Sequence, residues 1–195
     1  MSNDRPNVIV IAGPNGSGKS TAAPALLRDY LGITEFVNAD VIAQGLSAFG
    51  SENVSIQAGR IMLSRLKELA SEKVDFAFET TLAARSYASW LMKLQQAGYR
   101  AHLIFLWLPS AELAIARVAN RVQRGGHDIP EDVVRRRYDS GLKNFFSLYV
   151  PLVDSWRLFD NSDKSGYELI AQKLTTDELQ IENPKIWQSL KETYS

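Results

Sequence analysis

Lys19 and Ser20 close the segment Gly13-Pro14-Asn15-Gly16-Ser17-Gly18-Lys19-Ser20, whose spacing is G-x-x-x-x-G-K-[ST], the phosphate-binding loop. Gly13, Gly16 and Gly18 allow backbone angles closed to residues with a Cβ. They also let successive N–H groups of the loop, Pro14 excepted, turn inward around phosphate oxygens. Lys19 is expected to reach the outer phosphates, the Ser20 hydroxyl to sit on Mg²⁺ and Thr21 to help hold phosphate. The alternative is a glycine-rich turn with an incidental lysine. The neighbours argue against it, with an apolar run, Val8 to Ala12, before the loop and a helix-compatible stretch to Tyr30 after it.

Three carboxylates recur where apolar runs end. Asp40 follows Glu35-Phe36-Val37-Asn38-Ala39, Glu79 follows Asp75-Phe76-Ala77-Phe78, and Asp160 follows Trp156–Phe159. In open α/β sheets the carboxyl ends of strands are the ligand edge. Asp40 there is a candidate base or substrate contact, and equally an N-cap for Val41-Ile42-Ala43-Gln44. Glu79, with Thr80 and Thr81 beside it, suits ordering Mg²⁺-bound water or bonding a substrate hydroxyl. Asp160-Asn161-Ser162 is placed to touch a nucleotide base. Arg117 and Arg121, at i,i+4, share a helical face with Arg124. Gly125-Gly126-His127-Asp128-Ile129-Pro130 then leads to a second helix bearing Arg135, Arg136 and Arg137. Two arginine-bearing helices on a glycine hinge make a lid that closes guanidinium groups over phosphates. A solvated cationic face or an RNA-facing patch is the competing reading. His102 reads as structural, His127 as a turn residue and Trp107 as core or a base-binding wall.

The elements that must position these groups form an α/β, three-layer fold. Strands are expected at 7–12, 35–38, 75–78, 101–108 and 156–159, alternating with helices at 19–30, 54–73, 85–96, 111–123 and 130–149. The 54–73 helix has its apolar positions at Ile56, Ile61, Leu63, Leu66 and Leu69, and residues 45–53 read as a loop lining a substrate pocket. Parallel neighbours need long crossovers, and the expected sheet has five parallel strands in the order 2-3-1-4-5. A further helix is expected at 166–174 and a last one after Asn183-Pro184, packed on the domain or on a partner. The chain reads as one domain, 1–195, with the lid at about 117–138 and a helical tail at about 176–195.

Bulk properties narrow the class. With 195 residues, 45% hydrophobic and 23% charged, the chain is long enough for a sizeable core. Its net charge of +0 gives no field for nucleic acid or membrane. It has no cysteine, which excludes disulfides and thiol chemistry, and its two histidines make no metal motif. The polar start and the short run after it do not make a secretory signal. No stretch approaches the roughly 18 apolar residues of a membrane helix. The cytoplasm is the expected compartment.

Together the P-loop GPNGSGKST, the NAD at 38–40, the FETT at 78–81 and RVANRVQRGGHDIPEDVVRRRY at 117–138 resemble the zeta-toxin family of P-loop kinases over roughly residues 7–162. The resemblance implies ATP- or GTP-dependent, Mg²⁺-assisted phosphorylation of a hydroxyl on a small molecule, a UDP-amino sugar in the well-known toxins. It implies Asp40 as the proton acceptor, Lys19 and Arg121 as catalytic partners, and Glu79 and Thr80 as substrate-pocket residues. Arg117, Arg121 and Arg124 resemble the lid arginines, with Arg135 and Arg137 as further candidates for the substrate. The chain is short beside the long toxins and carries no antitoxin segment, so a protein antitoxin or a second copy stays open as a partner. A nucleotide-dependent switch without an acceptor and an RNA-linked kinase are the competing functions.

Overall fold

The structure, a computed structural model, describes residues 5–30, 32–46, 52–126, 128–163, 166–175 and 178–195. The loop expected at 45–53 lies largely outside these residues, as does His127. In chain order the elements are β1 (Asn7–Ala12), α1 (Lys19–Pro24, continuing in π-helical turns over Ala25–Tyr30), β2 (Phe36–Val37), α2 (Ala39–Leu46), α3 (Glu52–Glu72), β3 (Phe76–Thr80), α4 (Ser86–Gln96), β4 (Arg100–Trp107), α5 (Ala111–Gln123), α6 (Glu131–Asn144, continuing in π-helical turns over Phe145–Tyr149), β5 (Ser155–Asp160), β6 (Glu168–Lys173), β7 (Gln180–Ile181) and α7 (Pro184–Tyr194).

The sheet order is β2-β3-β1-β4-β5-β6-β7. Its first five strands are parallel, in the expected order. β6 and β7 extend it antiparallel, and β6 replaces the helix expected at 166–174. The connection from Asp160 to Glu168 is too short for a parallel crossover, so the chain can only turn back. Tyr167, Leu169 and Ala171 alternate along it, a strand period that the helical reading passed over.

Alternation sorts the central strands between two layers. Val8, Val10, Phe76, Phe78, Leu103, Phe105, Trp156 and Leu158 pack with buried residues of α3, α4, α5, α6 and α7. Ile9, Ile11, Ala77, Ile104 and Leu106 pack with Ala23, Leu27 and Ile33 on the α1 side. Trp107 belongs to the first core. In α3 the buried stripe is Ala58, Met62, Leu66 and Leu69, while Ile56, Ile61 and Leu63 are exposed. Those three break the i, i+4, i+8, i+11 spacing that the other four keep. The tail helix packs on the domain itself, with Trp187 stacked on Trp156 at 5.5 Å. Asn183 caps it by accepting the Ile186 N–H.

The amino-terminal edge of the sheet holds a cavity of about 310 Å³ lined in part by Asn7, Asp75, His102 and Ser155. The two His102 ring nitrogens lie 2.7 Å from Ser155 Oγ and 3.1 Å from Asn7 Oδ1. The Asn7 amide in turn donates to Asp75. Asn7 Oδ1 can only accept, so Nε2–H donates, and in the neutral ring Nδ1 accepts from Ser155. Burial, opposed by the Asp154 charge, holds His102 below the usual histidine range. The unfolded chain therefore binds more protons between that lowered value and the ordinary pKa of about 6.5. Stability from this group is full above that pH and is lost as pH falls below it. In urea unfolding the wild type should lose more stability between pH 7.5 and 5.5 than His102→Gln does, and parallel losses would remove His102 as the cause.

Candidate functional site

The carboxyl ends of β1, β2 and β3 and the start of α5 meet at the P-loop. Gly13 has φ 141°, and a Cβ there would stand 2.2 Å from the Leu106 carbonyl oxygen of β4. Only glycine lets the loop pass this close to the sheet. Asn15 and Ser17 are buried in the loop. Ser17 Oγ has no hydrogen-bond partner among the described residues, an orphan hydroxyl inside the cradle. Lys19 curls back so that Nζ donates to the Pro14 carbonyl at 2.9 Å and lies 3.6 Å from Glu79 Oε1. Burial lowers its pKa, and the nearby charges of Glu79 and Asp40 work against that fall.

Ser20 and Glu79 come together: the hydroxyl donates to Glu79 Oε2 at 2.7 Å. Asn38, to which the sequence assigns no role of its own, joins both. Its Nδ2 lies 2.6 Å from Glu79 Oε2 and 3.2 Å from Ser20 Oγ. Asn38 also caps α2 by accepting the Asp40 N–H at 2.7 Å. The cap considered for Asp40 thus belongs to Asn38, and Asp40 lies in the first turn of α2. Asp40 Oδ2 is 4.0 Å from Arg121 Nη1. The Thr80 hydroxyl accepts the Leu82 N–H and turns the chain after β3.

The arginines divide. Arg121 faces Asp40. Arg137 reaches the P-loop, with Nη1 3.4 Å from Asn15 Oδ1, and burial pulls its guanidinium below the usual arginine range against the Asp40 charge. Arg117 donates to the carbonyls of Asn161 and Ser162 at 2.8 and 2.7 Å. Asn161 Nδ2 in turn donates to the Ser17 carbonyl at 2.7 Å, so Arg117 braces the loop after β5 against the P-loop. Arg124 is exposed on the outer turn and, with Arg117, Asn120, Arg121, Gly125 and Gly126, lines a cavity of about 510 Å³. Arg135 is committed to Glu112.

The glycine pair after α5 is a helix cap. Gly125, at φ 84°, donates to the Val122 carbonyl at 2.9 Å, and Gly126 donates to the Arg121 carbonyl at 3.0 Å. This is a Schellman ending. A Cβ on Gly126 would fall 2.5 Å from Arg121 Cγ and 3.0 Å from its carbonyl oxygen. Gly126→Ala should therefore turn Arg121 away from Asp40 and cost about 1 to 3 kcal/mol in urea unfolding, the range for overpacking. A loss under about 0.5 kcal/mol, that of an ordinary surface change, would show that Arg121 yields freely. The second half of α6 is fixed. Asn144 donates to the Leu82 carbonyl at 2.7 Å, and the Tyr149 hydroxyl to that of Ala84 at 3.0 Å. Burial pushes the Tyr149 phenol up to about 12, which keeps it a donor. These bonds tie α6, which carries Arg137, to the segment just after Glu79 and Thr80.

Comparison with known proteins gives the family and the fold. A family model described as an AAA domain, AAA_33, matches residues 8–148. An uncharacterized protein of Haemophilus influenzae is 31% identical over 130 residues, which is 67% of this chain and 91% of that protein. Among solved structures, the AvrRxo1-ORF1:-ORF2 complex with ATP aligns with a TM-score of 0.76 at 17% identity. That match covers 96% of this chain, which spans only 64% of the other. The structure of the PezAT chromosomal toxin-antitoxin system of Streptococcus pneumoniae aligns at 0.66 and 15% identity, over 100% of this chain and 80% of that one. A gluconokinase of Sinorhizobium meliloti aligns at 0.52 and 18%, over 83% and 86%. At these identities the likeness to solved structures is one of fold. No helix among the described residues is long and apolar enough to cross a membrane.

Proposed function

Because the chain belongs to the AAA_33 family of AAA domains, with a P-loop kinase-like fold, we propose that it is an ATP- or GTP-dependent phosphotransferase of the zeta-toxin type that phosphorylates a hydroxyl of a small molecule. The observation that carries this is the convergence of a phosphate cradle, a Ser20–Glu79 oxygen pair, a carboxylate at Asp40 and two arginines within one edge of the sheet.

In-line transfer needs phosphate clamping, charge stabilisation and a base at the acceptor hydroxyl. The loop amides and Lys19 hold the outer phosphates. Asp40 takes the proton as the acceptor oxygen bonds to γ-phosphorus and the bond to the β–γ bridging oxygen breaks, leaving the nucleoside diphosphate. Arg121 and Arg137 balance charge on the moving phosphoryl group. Ser20 Oγ, with waters ordered by Glu79, suits Mg²⁺, a hard cation that keeps several waters beside phosphate oxygens. When bound, Mg²⁺ neutralises charge on the β- and γ-phosphates. Arg117 and Arg124 belong to the nucleotide side through the cavity they share, and Thr80 and Arg135 to the rim of the acceptor side.

A UDP-amino sugar is one acceptor of the required kind. The likeness to the PezAT toxin-antitoxin system supports a protein antitoxin as a partner to look for, and the cytoplasm is the compartment such a kinase would share with its nucleotide. The test is incubation with γ-labelled ATP and a metabolite extract. A labelled small molecule that disappears with Lys19→Ala supports the proposal. Release of phosphate with no labelled product would favour a nucleotide-driven switch.

A further inference from the structure

Asn38 stands between β2 and α2 and is 5% exposed. Its Oδ1 accepts the backbone N–H groups of Asp40 at 2.7 Å and Val41 at 3.4 Å. Its Nδ2 donates to Glu79 Oε2 at 2.6 Å and to Ser20 Oγ at 3.2 Å. Both ends fix the orientation of the amide. Reversal would set a carbonyl oxygen against the Glu79 carboxylate and an NH₂ against two backbone donors.

We propose that Asn38 is a positioning residue that couples the two halves of the site, holding Ser20 and Glu79 for the metal while fixing the helix start that carries Asp40. This rests on the phosphotransferase reading. Glu79 Oε2 receives donors from Ser20 and Asn38, which leaves Oε1 turned to Lys19. Without the Asn38 donor, one restraint on the carboxylate is lost and Glu79 can close on Lys19, away from Ser20. Without the acceptor, the first turn of α2 loses its cap, and Asp40 moves with it. An amide does both because it carries a donor and an acceptor two bonds apart.

Capping alone is separable from coupling, since aspartate and serine cap a helix as asparagine does. Aspartate, though, sets a second carboxylate against Glu79, and the serine hydroxyl is too short to span to Glu79 and Ser20. Asn38→Ser should therefore fold with a midpoint within about 4 °C of wild type, the shift that roughly 1 kcal/mol gives in a chain of this size, while Asn38→Asp should melt lower because it buries a second carboxylate against Glu79. Both should lose about 10- to 100-fold in kcat for labelled transfer into the extract, as expected for an outer partner of a metal site, with KM for ATP little changed. In Asn38→Ser, binding of Mn²⁺ to the ADP complex, read by electron paramagnetic resonance, should weaken over the same range. Wild-type transfer in both variants, with wild-type Mn²⁺ binding in Asn38→Ser, would reduce Asn38 to a cap and overturn the inference. So would collapse of the fold in both, which would make it a folding element. If the wild type transfers nothing, the phosphotransferase reading fails, and the Mn²⁺ measurement still decides whether Asn38 holds the metal pair.

Discussion

Lys19→Met is expected to abolish phosphoryl transfer while leaving the chain folded. The lysine is buried, donates to the Pro14 carbonyl at 2.9 Å and lies 3.6 Å from Glu79. Methionine has similar length and suits the buried stem, so the loop keeps its filling. The lost charge leaves one carbonyl without its donor, a cost of about 1 to 3 kcal/mol. Against this stands relief from holding an ammonium out of water, which already lowers the lysine pKa. Glu79 is not orphaned, because Ser20 and Asn38 still donate to it. Net stability by urea unfolding should fall within about 2 kcal/mol of wild type, since these terms oppose each other. Transfer behaves differently, because no other group in the loop places a positive charge on the outer phosphates. The rate should drop at least about 100-fold, the lower range for removing one stabilising donor from a transition state. Transfer above a tenth of wild type would show that the arginines alone supply the charge.

The contrast between Lys19 and the arginines shows what the sequence could carry. The P-loop was legible because its spacing, the strand before it and the helix after it all serve one geometry. That the five strands run parallel followed from their separation by helices, while their order rested on the P-loop kinase pattern. The last third was less legible: residues 166–174 contain apolar residues on both periods, and only the short return from Asp160 decides for a strand. Helical spacing correctly put Arg117, Arg121 and Arg124 on one face. It could not say that the loop at Asn161 and Ser162 stands opposite Arg117, or that Glu112 stands opposite Arg135, because those partners come from other elements. Asn38 was hidden for a related reason. An asparagine after a strand reads as a turn or a cap, and nothing local reveals that its NH₂ group meets Glu79, 41 residues later. For the glycine pair, sequence shows that glycines are needed but not why. The structure gives the reason as a cap under Arg121.

Asp40→Asn separates the acceptor half of the site from the nucleotide half. The substitution keeps the shape of the side chain and the Asn38 bond to the backbone of residue 40. It removes the carboxylate that would take the proton, and with it the 4.0 Å contact to Arg121. That contact contributes little to folding, since the two side chains are 48% and 37% exposed and solvent screens them; stability should change by less than about 1 kcal/mol. The rate of labelled transfer should fall about 10²- to 10⁴-fold, the range for loss of a general base. ATP affinity by calorimetry should hold within about threefold, because Asp40 stands on the acceptor side and its loss removes one anion from near the phosphates, worth little through solvent. Phosphate release to water, which needs no acceptor, gives the sharper comparison. It depends on the cradle and Lys19 but not on a base aimed at a bound hydroxyl, so Asp40→Asn should retain it where Lys19→Met does not. Transfer within tenfold of wild type in Asp40→Asn would remove Asp40 as the base. Equal loss of transfer and phosphate release would instead make its carboxylate part of the nucleotide site, acting through Arg121.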